Sequence, residues 1–226
     1  MLPYSRKRTR LLTVVASCSL LIVLSACSRA EPTLVPKSGI RAIDFENFIY
    51  PGEPVFGNRH KTFTLRNGEF PVERDKQGHI IDIGLSGGAT YFDVTGDGIE
   101  DAIVGFSEDN SGGTAIVYAA YIYTLQNGRP TFLWGFEAGD RADGGLRRIY
   151  GQNGELVIEL EGKNKVIGKD LYGGDDTSHG ACCPTFFTRT RYRWTGKRFE
   201  QKGAPEILPL DGVPDTGPFP EKPPTD

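Results

Sequence analysis

Beyond its first ten positions the sequence has no run of basic residues, and nowhere does it have an apolar run long enough to span a bilayer as a helix. Methionine occurs once, at the start, and there are two tryptophans, three histidines and four cysteines. Acidic residues outnumber basic ones, 29 to 26, and four of the basic ones fall in residues 1–26. The remaining 200 residues therefore carry 22 basic and 29 acidic side chains, a formal charge of −7. That balance argues against a nucleic-acid partner and against electrostatic attachment to an anionic membrane. No segment after residue 26 shows the apolar stripe of an amphipathic helix. What is abundant is glycine (29), phenylalanine (13) and tyrosine (nine), a composition that leans toward β structure with many turns.

The first 26 residues read as an export signal. Arg6, Lys7, Arg8 and Arg10 form a basic start, and Leu11 to Ala26 is an apolar stretch that ends in small residues. At roughly 16 residues it falls short of the ~20 a spanning helix needs. Its end, Leu24-Ser25-Ala26-Cys27, resembles the lipobox of bacterial lipoproteins. The resemblance implies cleavage before Cys27 and attachment of diacylglyceryl and a further acyl chain such as palmitate. Two or three acyl chains make a stable membrane anchor where one is marginal. Ser28 resembles the outer-membrane sorting position of enteric bacteria, which in a Gram-negative host would place the protein on the outer membrane, facing the periplasm.

Four regions follow from this. Residues 1–26 are the signal. Residues 27–39, with Pro32 and Pro36, form a lipidated tether reaching at most ~40 Å. Residues 40–204 form a single globular domain. Residues 205–226, with seven prolines, are expected to be disordered or extended.

Within the domain, alternating apolar residues flank turn pairs four times. Phe63 to Arg66 leads through Asn67-Gly68 to Glu69–Val72. Ile122 to Leu125 leads through Asn127-Gly128 to Pro130–Trp134. Leu146 to Tyr150 leads through Asn153-Gly154 to Leu156–Leu160. Arg191 to Trp194 leads through Thr195-Gly196 to Arg198–Glu200. Asn and Gly accept the positive φ of a type I′ turn, so these read as hairpins. Ile80–Ile83 and Ala102–Phe106 add strands, Tyr118–Tyr123 reads as a central one, and Ile40–Tyr50 fits a strand or a short turn. The predicted fold is all-β, an antiparallel hairpin meander closed as a sandwich or irregular barrel, with little helix outside the signal.

Asp93-Val94-Thr95-Gly96-Asp97-Gly98-Ile99-Glu100-Asp101 places side-chain oxygens at loop positions 1, 3, 5 and 9, with glycine at 6. Such spacing folds oxygens inward on a hard cation, the Ile99 carbonyl included, and suits calcium. Position 12 is Val104 rather than Glu, so the loop is not an EF-hand. Tyr91 to Gly105 resembles the calcium loop of FG-GAP repeats. That resemblance makes Asp93, Asp97 and Asp101 side-chain ligands, with Ile99 as a carbonyl ligand and Thr95 in place of the usual Asp or Asn. No second copy accompanies it, so a propeller does not carry over. The competing reading is a turn whose aspartates cap backbone N–H groups.

With Cys27 lipidated, Cys182 and Cys183 remain as an adjacent pair in an oxidising compartment. Their Cα atoms, about 3.8 Å apart, are closer than the usual disulfide range of roughly 4.4–6.8 Å, so a bond there demands a distorted turn. The readings are a structural vicinal disulfide, two buried thiols, or a redox or metal module in which His179 and the upstream Asp175 and Asp176 add donors.

Three further features carry weaker signals. Gly84-Leu85-Ser86-Gly87-Gly88 matches G-x-S-x-G, but a strand rather than a helix follows, so it reads as a glycine-rich loop. Gly139 to Arg148 packs Asp140 and Asp143 among Arg141, Arg147 and Arg148, either as a charge-paired brace or as an anion-binding site. Trp134 and Trp194 read as core or sheet-face residues, and His60 and His79 as surface residues. The lipobox, Asp44–Pro51, the Asp-rich loop, Gly139–Leu146, Cys182–Thr185 and Arg191–Trp194 together resemble a group of bacterial lipoproteins without an assigned activity. No catalytic residue follows from that resemblance. The function expected is a lipid-anchored envelope protein, a binding or structural module leaning away from catalysis. The alternatives are a glycan or peptide hydrolase using Asp140, Asp143 or Ser86, and a module built on Cys182-Cys183.

Overall fold

Asn67, Asn127 and Asn153 adopt φ of 53°, 50° and 55°, each followed by a glycine at φ 80°, 73° and 73°. These are the left-handed pairs that type I′ hairpins require. A computed structural model describes residues 38–55, 60–74, 76, 78, 80–110, 116–139, 144–162, 184–212 and 214–225. The described part is all-β and antiparallel throughout its strand ladders. β1 (Ile49–Pro51) and β2 (Thr62–Thr64) form a two-stranded ribbon. β3 (Glu73–Arg74), β4 (Ile80–Phe92), β5 (Asp101–Asn110), β6 (Ile116–Gln126) and β7 (Arg129–Glu137) pair in chain order as the first sheet. β8 (Leu146–Gln152), β9 (Glu155–Glu161) and β10 (Phe186–Trp194) continue as a second meander. Along the free edge of β10 lie β11 (Phe199–Gln201) and then β12 (Glu206–Pro209).

Side-chain alternation divides the core in two. Ile103, Ala120, Ile122 and Phe136 of the first sheet pack against Ile149, Leu156, Ile158 and Tyr192 of the second. Ala102, Val104, Phe106, Tyr121 and Tyr123 face the other way, onto Ile40, Phe45, Tyr50 and Phe63. The first sheet is therefore covered on both faces, which is why β5 and β6 read as nearly continuous apolar runs. The covering segment begins with two single 3₁₀ turns, Gly39–Ala42 and Phe45–Asn47. Asp44 starts the second, its Oδ1 accepting from the N–H groups of Glu46 and Asn47 at 3.1 and 3.2 Å. Ile40–Tyr50 is thus turns leading into a short strand.

Three expectations are corrected. The Asn67-Gly68 turn forms, but its arms separate after the Arg66–Glu69 bridge: β2 pairs with β1, and Phe70 donates to the Ile83 carbonyl. Gly84–Gly88 is not a loop, because β4 runs through it. The register steps from Leu85↔Phe106 to Ala89↔Val104, so Ser86, Gly87 and Gly88 bulge opposite Gly105. Gly87 and Gly88 supply the positive φ values, 76° and 82°, that such a bulge needs. The third correction is the proline-rich end. Residues 206–209 join β10 as an edge strand, where a proline costs no ladder bond, and the chain beyond is strapped to the domain. The Pro218 carbonyl accepts from Ile149 N at 2.9 Å, Phe219 packs against the core between the sheets, and Pro220 is buried.

Candidate functional site

The Asp-rich loop joins β4 to β5 and bonds largely to itself. Asp93 Oδ1 accepts from Gly96 N (2.6 Å) and Asp97 N (3.2 Å), and its Oδ2 from Gly98 N (2.9 Å). Asp97 Oδ1 accepts from Ile99 N at 2.8 Å. Asp101, fully buried, accepts from Val94 N and Thr95 N through Oδ2, both at 3.0 Å. Burial pushes its carboxyl above the usual range; the Thr124 hydroxyl and these two N–H groups pull the other way. Asp101 Oδ1 and Thr95 Oγ1 are buried without a hydrogen bond of ordinary length and angle. Among the described residues no three acidic, histidine or cysteine side chains gather on a common point. The loop therefore presents a set of backbone caps closed by the buried Asp101 carboxylate, and Ile99 is exposed. It is anchored on both sides. Arg41 donates to Glu100 at 2.5 and 2.7 Å and lies 4.4 Å over the Tyr91 ring. Gly96 rests on the β8–β9 turn so closely that a Cβ there would meet the Gly154 carbonyl oxygen at 3.1 Å.

A second cluster lies on the outer face of the second sheet. The β8–β9 register steps between Leu146 and Arg148, which turns Arg148 outward opposite Glu159 while Leu146 stays in the core. Pairing of Arg189 with Glu159 across β9–β10 brings a third charge to the same face. Glu159 is fully buried. Its Oε1 accepts from Arg189 Nε (2.8 Å) and from the Tyr150 hydroxyl (3.1 Å). Its Oε2 faces Arg148 Nη1 at 3.6 Å and Arg147 Nε at 3.8 Å. Three guanidinium groups thus share one buried carboxylate. Arg147 lies 4.9 Å over the Phe187 ring; burial, then the neighbouring Arg148, lower its proton affinity.

The C-terminal strap covers this face. Arg148 Nη2 donates to the Pro214 carbonyl, and Arg147 Nη2 reaches the same oxygen at 3.5 Å. Between strap and sheet lies a cavity of about 910 Å³, walled by Arg148, Phe187, Arg189, Leu208 and the prolines of the strap. Its size falls within the usual range of small-molecule sites.

Of the anion-binding candidates, Arg147 and Arg148 are brought together here, on β8. Glu159, Arg189 and Tyr150 were not anticipated. A lone Glu inside the apolar run Leu156–Leu160 was the available signal, since a charge in a buried strand needs a partner. Ser86 sits in the β4 bulge. Trp134 and Trp194 pack half-buried against the core, as expected. His60 pairs with Glu73 at 2.9 Å rather than standing alone. Cys27, His79, Asp140, Arg141, Asp143, His179 and the pair Cys182-Cys183 lie outside the described residues. Comparison with known proteins yields no relative: no family model, curated protein or solved structure matches the chain.

Proposed function

We propose that this protein is a lipid-anchored, non-enzymatic binding domain of the cell envelope that takes a small ligand under its C-terminal strap. The observation that carries the reading is the roughly 910 Å³ cavity, whose wall combines apolar surface from Phe187, Leu208 and prolines with the cationic Arg148 and Arg189. Apolar lining with a few convergent polar groups is the usual make-up of a ligand pocket. The lipobox at Cys27 supports the address. The test is a thermal-shift screen of small amphiphiles on the full-length protein in neutral detergent, run beside Leu208→Trp, which fills the cavity. Compounds that raise the melting temperature of the wild type and leave the variant unmoved support the reading. A screen in which every active compound shifts both proteins equally overturns it.

A second reading concerns calcium. It is favoured by Asp101 Oδ1 and Thr95 Oγ1, two buried oxygens that find no well-aligned hydrogen bond among the described residues, in a loop whose spacing suits a hard cation. Asp93 and Asp97 have lone pairs beyond those their N–H donors use. Binding at this site would stiffen the β4–β5 connection rather than take part in chemistry.

A further inference from the structure

The Arg148 side chain is 1% exposed, and its surroundings do not match its charge. Among the described residues its hydrogen-bond partner is the Pro214 carbonyl, a neutral group, and its Nε has none. The nearest carboxylate among the described residues, Glu159, stands 3.6 Å away and gives its better-placed oxygen to Arg189 and Tyr150. The other described carboxylates near the cluster belong to part-exposed or exposed residues: Glu206 lies 3.8 Å from Arg189, and Asp215 and Glu161 act on Arg147 through their charge. Glu221 and Lys222 of the strap both line the cavity and offset one another. A buried guanidinium with a neutral partner is costly unless an anion reaches it.

We infer that the cavity binds an oxyanion, carboxylate or phosphate, carried on an apolar body, with Arg148 as its principal anchor and the Pro214 carbonyl holding the anion's place in the unliganded protein. The inference rests on the binding reading above and names the ligand class of that same cavity. The planar fork of Arg148 suits two oxygens of a carboxylate or phosphate. Phe187 and Leu208 lie along the same wall and offer the body its apolar contacts. The Pro214 carbonyl bonds Arg148 through one oxygen only, so an anion that displaces it gains a second, charge-assisted bond.

The experiment is calorimetric titration of the full-length protein in neutral detergent with 2-naphthoate, 2-naphthyl phosphate and the uncharged 2-naphthol. At least one anion should bind about tenfold more tightly than the alcohol, the worth of one charged hydrogen bond. Whichever anion binds more tightly assigns the head group. Arg148→Met should abolish that preference with little loss of melting temperature, since it removes a surplus buried cation along with its bond to the strap. Should Arg148→Met fail to fold, Arg148→Lys retains the charge and loses the fork, and the preference should fall there too. If naphthol binds the wild type as tightly as both anions, the inference fails and the binding reading stands. If none of the three binds, both fail. A preference that survives in both variants overturns the role of Arg148.

Discussion

Phe219 sits over Gly105 so closely that a methyl group added to the glycine would come within 2.3 Å of its ring. Gly105 lies within β5, and the missing side chain leaves a seat that the strap fills. Tyr118 meets the same ring at a centroid distance of 6.2 Å. Gly105→Ala should therefore expel Phe219 and cost about 1–3 kcal/mol, as overpacking does. Phe219→Ala should cost a similar amount, and the double variant clearly less than the sum, because both lesions break one contact. Urea midpoints measure the costs, and faster proteolysis of the C-terminal segment in each variant shows where the loss falls. Additive costs would mean that the seat does not hold the strap.

The Arg41–Glu100 pair ties the first 3₁₀ turn to the Asp-rich loop. Its hydrogen bond and charge hold the Glu100 carboxyl below the usual range. The folded state then binds this proton more weakly than the unfolded chain. The stabilisation is complete above the ordinary carboxylate range and fades as pH falls through the lowered value. Both side chains are 47% exposed, so the contribution is at most about 1 kcal/mol and is screened by salt. Glu100→Gln should lower the urea midpoint at pH 7, leave it unchanged in strong acid, and flatten the curve between. An equal loss at both ends of the pH range would place the effect in packing on Tyr91 instead of in charge.

The hairpins were legible because Asn-Gly pairs at 127–128 and 153–154 act locally: φ preference alone reverses the chain. At 67–68 the same signal forms the turn and misleads about its arms, since the partners of β2 and β4 are chosen by burial of Phe63 and Ile83 in the same cluster. The strap was missed because proline content forbids ladder interiors and says nothing about edges or about a glycine seat 114 residues away in sequence. Of the candidate site, Arg147 and Arg148 were readable as a charged pair. Glu159 stood out as a charge in an apolar run, but its pairing with them was not readable, because strand register and a one-residue bulge decide which face each side chain takes.

Calcium should raise the melting temperature of the protein, and chelator should reverse the effect. Oxygen-ligand loops of this kind on exported proteins bind in the range of roughly 10⁻⁴–10⁻³ M. At ten times the dissociation constant the gain is about 1.4 kcal/mol. Asp97→Ala removes one carboxylate and a single cap to Ile99 N, so its own fold should be close to wild type while the calcium response disappears. A melting temperature indifferent to both calcium and chelator would leave the loop as a capped turn only.

Cys27→Ser tests the anchor. The wild-type chain expressed in a bacterium should incorporate labelled palmitate and sediment with membranes, and blocking lipoprotein signal peptidase should leave the signal attached. The serine variant should take up no label. Membrane association that persists without label would point to an uncleaved apolar segment at residues 11–26 as the anchor.

Glu159 is the one fully buried carboxylate that Arg147, Arg148 and Arg189 share among the described residues. Glu159→Gln is nearly isosteric, so packing is kept and charge alone is lost. The expected cost is about 3–5 kcal/mol, because removing one partner strands buried charges. The urea slope should be unchanged, which separates lost stability from a looser native state. A second change, Arg189→Met, removes the guanidinium most directly bonded to Glu159, so the double variant should recover part of the loss. Arg148→Met in the wild-type background should cost little by comparison, since Glu159 keeps its two hydrogen bonds. If Glu159→Gln and Arg148→Met were equally destabilising, the cluster would be a balanced network, and Arg148 would have no charge to spare for a ligand.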